Sequence, residues 1–154
     1  MDKHNTFHSR STYQLMRLDY FVILVALSAA VLLHAREVHW IRFVIAFSWI
    51  DLLGTLPAWY CYYLRRSGAH RRVPAIFYKL YNFAHSFTTN AALVVLWYAV
   101  TGAWEWAMLA APIHLCGDRS LFGNVYKPMG LSFEPATHDD FQRFLTEYER
   151  AGQW

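Results

Sequence analysis

Long apolar runs without charged residues recur along the first 122 residues of the chain. The first run, YFVILVALSAAVLL, lies within a predicted helix at 18–35. Further helices are predicted at 38–64, 75–100 and 103–122, the third of them beginning just after a proline. Helices of about 20 apolar residues match the hydrocarbon core of a bilayer, which is about 30 Å thick. The pattern therefore predicts an all-α integral membrane protein.

Short connections join the predicted helices, so consecutive helices are expected to be antiparallel neighbours. The simplest arrangement is an up-down four-helix bundle that forms a membrane domain at 18–125. A cytoplasmic leader at 1–17 precedes it, and a cytoplasmic tail at 126–154 follows it. Within the tail, apolar residues recur at helical spacing from Phe141 to Tyr148 and predict a short amphipathic helix.

Composition and charge placement agree with this interpretation. Of the 154 residues, 56% are hydrophobic and only 16% are charged, against about 25% charged residues in a typical soluble domain. Basic residues precede the first helix and crowd the loop at 65–72, whereas the turn at 102–105 has none. The positive-inside rule then predicts a multi-pass protein of the inner membrane with both termini in the cytoplasm. The basic cluster is explained by this topology, so nucleic acid is not an expected partner.

Four ionisable side chains lie inside the predicted helices, where charged groups are costly and usually functional. Asp51 is on the second helix, His85 on the third, and His114 and Asp118 on the fourth. The last two are four residues apart, so they share a helix face. Counted from the cytoplasmic ends, Asp51 is the deepest carboxylate and is expected to be the most desolvated. The four could meet in the cytoplasmic half of the bundle.

Two interpretations of this cluster remain open at the level of sequence. Imidazole and carboxylate groups are ligands for Zn²⁺, Mn²⁺ or Fe²⁺, with His85, His114 and Asp118 as the predicted metal ligands and Asp51 as an acid or base. The same residues could instead move protons without a metal. Each could also be structural. Asp51 could be a partner of Arg42 or of the backbone near the proline of the second helix, His85 a hydrogen-bonded core histidine, and the pair on the fourth helix a seal of the helix end.

Three neighbouring residues are expected to support the site. Asn82, Tyr81 or a carboxylate would hold the ring N–H of one histidine, because a histidine ligand needs a fixed tautomer. Arg119 is expected to reach the membrane interface or to pair with Asp118.

The motifs YNFAHS at 81–86 and HLCGDRSLFGNVYKP at 114–128 resemble a family of small bacterial membrane proteins of unknown function. Its pattern is Y-N-x-x-H-S followed by H-x-x-x-D-R, with a glycine and a lysine shortly after. Asp51 and Gly54 in IDLLG match an upstream aspartate near a glycine. The pattern is also loosely similar to membrane-bound metal-dependent hydrolases, which implies metal chemistry, although the chain lacks the H-R-x-x-T-H-S element of that group.

These features predict an enzyme that acts on a lipid-soluble substrate, such as a lipid or an isoprenoid-like molecule, by hydrolysis, isomerisation or cyclisation. Asp51, His85, His114 and Asp118 are its predicted catalytic residues. The alternative is a non-enzymatic subunit of a larger membrane complex in which His85 ligates a haem or a pigment. The bilayer is the expected surrounding of the protein in both cases, and a homo-oligomer is compatible with either.

Overall fold

Helices account for the regular structure of the residues that the computed structural model describes, namely 10–64, 73–127 and 139–152, and no strand occurs among them. The six α-helices are α1 (Arg10–Leu33), α2 (Trp40–Trp59), α3 (Ala75–Ala84), α4 (Phe87–Thr101), α5 (Ala110–Gly117) and α6 (Asp139–Ala151). Two π-helical turns extend α2 and α5, and a 3₁₀ turn precedes α5; they are Tyr60–Leu64, Asp118–Phe122 and Trp106–Leu109. The predicted all-α class is confirmed.

Two helical stretches, Ser11–Leu33 and Trp40–Leu64, are long and apolar enough to cross a membrane. Only 6% of the most apolar window of the first stretch is buried inside the protein. In water this exposed apolar surface would be unfavourable, whereas lipid covers it without cost. The first helix begins at Arg10, so the part of the predicted leader from residue 10 to residue 17 is helical. Residues 1–9 lie outside the described part of the chain.

The third predicted helix is not continuous, because a break between α3 and α4 bends it by 56°. His85 and Ser86 leave the helical conformation at this point, and Ser86 is extended. The side-chain amide of Asn90 donates to the carbonyl oxygens of Ala84 and Ser86, at 2.7 and 2.9 Å. The bond to Ala84 satisfies a backbone acceptor that a continuous helix would have paired, while the Ser86 oxygen also accepts from the backbone N–H of Asn90, so the break is stable inside apolar surroundings. Taken as one broken span, α3 and α4 raise the number of candidate spans to three.

The fourth predicted helix begins at Trp106 and is built from a 3₁₀ turn, α5 and a π-helical turn. It is not among the candidate spans. It nevertheless follows α1 from end to end: the Tyr13 hydroxyl donates to the carbonyl oxygen of Gly123, and the His34 ring stacks on Trp106 at 3.9 Å between centroids. The segment is therefore antiparallel to α1, and its C-terminal end lies beside the N-terminal end of α1.

An ion pair fixes the opposite end of the molecule. Arg42, in the first turn of α2, donates to Glu105, which also accepts from Trp97. The hydrogen bond from Arg42 holds the pKa of the Glu105 carboxyl below its usual range. Arg42 is thus paired with Glu105, and the sequence-based alternative that it pairs with Asp51 is wrong.

Some of the sequence predictions fall on residues outside the described ranges. They concern the basic loop at 65–72 and the part of the tail at 128–138. The helix predicted in the tail corresponds to α6, Asp139–Ala151.

Candidate metal centre

Three segments of the chain bring the four predicted site residues together. The Nε2 atom of His85 lies 3.3 Å from Asp118 Oδ2 and 3.7 Å from Asp51 Oδ1. The Nε2 atom of His114 lies 3.4 Å from Asp118 Oδ2 and 3.7 Å from Asp51 Oδ2. Two imidazoles and two carboxylates therefore face one point between α2, the break after α3, and the end of α5.

Two contacts with Tyr81 hold the ring of His85 in one orientation. Its Nδ1 atom lies 2.9 Å from the carbonyl oxygen of Tyr81, and the Tyr81 ring stacks on it at 3.7 Å between centroids. A carbonyl oxygen can only accept, so Nδ1 carries the hydrogen and Nε2 of the neutral ring is an acceptor. This acceptor faces the carboxylate oxygens of Asp51 and Asp118. Acceptors at such distances repel one another unless a proton or a metal ion lies between them.

The imidazole of His114 lacks hydrogen-bond partners among the described residues. His114 is 6% exposed, and neither of its ring nitrogens has a hydrogen-bond partner among the described residues. A buried polar atom without a partner costs about 1–3 kcal/mol. Binding of a cation at Nε2 would remove that cost for one of the two atoms.

The donor atoms fit a metal ion in number and type. One ligand atom each from Asp51, His85 and His114 lies within 4.8 Å of the other two. Nitrogen and oxygen ligands of this kind suit Zn²⁺, Mn²⁺ or Fe²⁺. The set differs by one carboxylate from the predicted ligands, which included Asp118 instead of Asp51; Asp118 Oδ2 nevertheless approaches the same two nitrogens.

The expected order of desolvation of the two carboxylates is wrong. The Asp51 side chain is 49% exposed and the Asp118 side chain only 17%. Counting residues along straight helices gives depth along the bundle axis but not the direction of a side chain around it. Asp51 points toward a cavity, where the hydroxyl of Thr55 donates to its Oδ1 atom at 2.6 Å.

A glycine permits the close approach of α2 to the histidine. A Cβ atom at Gly54 would lie 3.1 Å from the Cα atom of Tyr81 and 3.1 Å from the Cε1 and Nδ1 atoms of His85. Glycine at this position therefore lets α2 pack directly against the turn that holds the imidazole.

Of the three supporting residues, Tyr81 holds the ring N–H of a histidine as predicted, whereas Asn82 and Arg119 take other roles. The N–H of His85 is held by the backbone of Tyr81, and the Asn82 side chain bonds to the backbone of Lys127 instead of to a histidine. Arg119 is 6% exposed, so it does not extend to the interface, and no ion pair among the described residues joins it to Asp118. Its guanidinium donates to the Tyr20 hydroxyl at 2.8 Å and to the carbonyl oxygen of His85 at 3.5 Å.

A cavity of about 180 Å³ opens onto the cluster. It is lined by Asp51, Thr55, Tyr81, His85, Asp118, Asn124 and Lys127. Lys127 belongs to the motif at 114–128 but was not among the predicted site residues, and neither were Thr55 and Asn124. The one available signal for Lys127 was its place in the motif that contains His114 and Asp118.

Comparisons of the chain with models of known families, with curated proteins and with solved structures find no match. The resemblance to a family of small membrane proteins, and the looser similarity to metal-dependent hydrolases, therefore stay predictions.

Proposed function

We propose that the chain is a membrane-embedded, metal-dependent enzyme that hydrolyses a lipid-soluble substrate. The observation that carries this proposal is that the Nε2 atom of each histidine lies within 3.7 Å of both carboxylates, with the hydrogen of His85 held on Nδ1. A divalent cation at this point would bind Asp51, His85 and His114 at once, and it would give buried His114 a partner.

Three protein ligands and one open position are typical of catalytic sites. Asp51, His85 and His114 hold the ion, which activates water or polarises an oxygen of the substrate when bound. Asp118 is the second carboxylate next to the same nitrogens, and its low exposure keeps it out of bulk water. It accepts the proton of the attacking water as a general base.

The substrate class follows from the surroundings of the site. The outer surfaces of α1, α2 and α4 carry large exposed apolar side chains, for example Leu32, Ile41 and Val95. An enzyme in this setting meets its substrate in the bilayer. Haem or pigment binding by His85 is less favoured, because its Nε2 atom faces two carboxylates that suit a small divalent ion better than a macrocycle.

We expect mass spectrometry to reveal the reaction when the metal-loaded protein is incubated with bacterial polar and isoprenoid lipids. The wild type should consume at least one lipid species and form its hydrolysis product, and a chelator should stop the reaction. Asp118→Asn should lower turnover about 100-fold or more because it removes the base, while retaining the metal. Asp51→Asn should lose both the turnover and the metal.

Full turnover by Asp118→Asn would remove Asp118 from the mechanism. If the wild type with its metal changes no lipid in the mixture, hydrolysis of membrane lipids is the wrong function for this site.

The proposed topology has four crossings, with the segment after α4 as the fourth, and both termini in the cytoplasm of a bacterial inner membrane. The end-to-end contact of that segment with α1 supports it, since the N-terminal part of α1 and residue Gly123 then lie on one side. A cysteine probe at Gly102 should react with an impermeant reagent from outside, whereas a probe at Gly68 should react only after lysis. Labelling of Gly68 in intact cells would contradict this topology.

A further inference from the structure

A buried arginine contacts the break between α3 and α4. Arg119 directly follows Asp118 in the π-helical turn at the end of α5, and it is 6% exposed. Its guanidinium carbon lies 4.4 Å from the centroid of the Phe87 ring, and its Nη2 atom lies 3.5 Å from the carbonyl oxygen of His85. His85 follows the last residue of α3, and Phe87 is the first residue of α4. The guanidinium therefore touches the chain on both sides of the break.

The same guanidinium is bonded to α1. Its Nη1 atom donates to the hydroxyl of Tyr20 at 2.8 Å, and the Tyr20 ring stacks on Phe87 with 6.2 Å between centroids. Contacts of a guanidinium with aromatic faces contribute about 0.5–2 kcal/mol each, and most where water is excluded. Arg119 thus joins three elements at one point: α1, the π-helical turn and the start of α4.

Side chains bind three consecutive carbonyl oxygens at the break, those of Ala84, His85 and Ser86. The amide of Asn90 donates to the first and the third, and Arg119 donates to the second. A cation is favoured at this place, because the carbonyl groups at the C-terminal end of a helix carry a partial negative charge. Of these two side chains, only Arg119 comes from the segment that also carries His114 and Asp118.

The position of the His85 backbone determines where its ring can lie. The ring is fixed relative to Tyr81 by the bond at Nδ1 and by stacking. These two contacts are within one helical turn, so they do not set the distance from His85 to the segment of His114. Arg119 provides a polar link across that distance, since it lies on the same segment as His114 and donates to the backbone of His85.

We propose that Arg119 is a positioning residue of the metal centre, whose guanidinium holds the backbone of His85 beside the segment of His114. This inference rests on the proposed metal centre and deepens it. In this role Arg119 contacts neither the ion nor the substrate and acts only through His85. Its removal should therefore change the geometry of the bound ion and not only the stability of the fold.

The test uses the purified protein in detergent with Co²⁺ as the bound ion, because the visible absorption of Co²⁺ changes with the number and geometry of its ligands. Arg119→Met keeps a side chain of similar length but removes the charge and the hydrogen bonds. We expect it to weaken Co²⁺ binding about tenfold or more, as changes in residues that orient a ligand typically do, and to alter the absorption spectrum. Arg119→Lys restores a cation next to the same rings and carbonyl oxygen, so it should recover part of both properties.

Arg17 provides a matched control, because it also joins α1 to the π-helical turn. Its Nε and Nη2 atoms donate to the carbonyl oxygens of Ser120 and Leu121 at 2.7 and 2.9 Å, and not to residues of the break. Arg17→Met should therefore lower the midpoint of thermal unfolding, as Arg119→Met does, but keep the Co²⁺ affinity and spectrum of the wild type.

The outcomes separate the role of Arg119 from the metal centre itself. Weaker binding and an altered spectrum in Arg119→Met, with partial recovery in Arg119→Lys and neither change in Arg17→Met, support the inference. Wild-type affinity and spectrum in Arg119→Met overturn the role of Arg119 and leave the metal centre standing. Equal losses in Arg119→Met and Arg17→Met, or no recovery in Arg119→Lys, also overturn it, since loss of packing would then be the whole effect. A wild type that binds no Co²⁺ overturns both proposals.

Tyr20→Phe provides the test if Arg119→Met does not fold. This change removes only the hydroxyl that accepts from the guanidinium and keeps the ring on Phe87. It should shift the Co²⁺ affinity and spectrum in the same direction as Arg119→Lys does, by a smaller amount than loss of the whole side chain. Affinity and spectrum identical to those of the wild type would then overturn the inference.

Discussion

Replacing His114 by alanine is expected to remove the bound metal. We expect detergent-purified wild type to contain about one divalent ion per chain and His114→Ala to contain almost none. The ring supplies one of three ligands, and even changes in residues that only orient a ligand cost about 10–100-fold in metal affinity. Elemental analysis of the two proteins, prepared in parallel, measures the difference.

A matched histidine on α1 provides the control. His34 stacks on Trp106, and its Nδ1 atom contacts the carbonyl oxygen of Ala30, outside the cluster. His34→Ala should therefore keep its metal. A wild type free of metal under all loading conditions would contradict the metal centre and would mean that His85 faces its carboxylates as a doubly protonated imidazolium. Equal metal content in His114→Ala would remove His114 from the ligand set.

Substituting alanine for Gly54 is expected to disturb both the packing of α2 and the metal centre. The added Cβ would lie 3.1 Å from the Cα atom of Tyr81, which is backbone and cannot rotate away, and 3.1 Å from the His85 ring. Overpacking of this kind typically costs about 1–3 kcal/mol, which exceeds the gain in helix propensity of about 1 kcal/mol. We expect a lower midpoint of thermal unfolding and weaker metal binding, because α2 and the imidazole must move apart.

Gly117 offers the matched control for this substitution. It also has helical backbone angles, but a Cβ atom there would meet nothing within 4 Å. Gly117→Ala should leave metal binding unchanged and unfold at the same temperature or somewhat higher. If Gly54→Ala matched Gly117→Ala in both measurements, the close approach at Gly54 would have no role in forming the site.

The residues of the candidate site could be selected from the sequence because they are ionisable residues within otherwise apolar segments. Within apolar helices, a histidine or an aspartate is costly unless it has a partner. The sequence alone therefore indicates four candidate residues without any knowledge of the fold, namely Asp51, His85, His114 and Asp118. Their convergence was a prediction that the helix pattern permitted but did not require.

The details of the site depended on contacts that a local pattern does not contain. No proline or glycine near His85 predicts the break at this residue, which is stabilised by the side chain of Asn90. Arg119 is buried beside three aromatic rings, of which those of Tyr20 and Phe87 come from distant segments. Lys127 reaches the cavity through its bonds to Asn82, which lies 45 residues earlier in the chain.

The sequence by itself determined that the chain is helical, that at least its first two helices can span a bilayer, and which ionisable side chains lie within the apolar segments. These properties follow from hydrophobicity and helical periodicity, which are local. Only the tertiary structure decided which carboxylate faces the cavity, how the helix breaks beside His85, and that Lys127 joins the site. Those features depend on the rotation of each helix about its axis and on hydrogen bonds between distant residues, so they are fixed only when the helices pack.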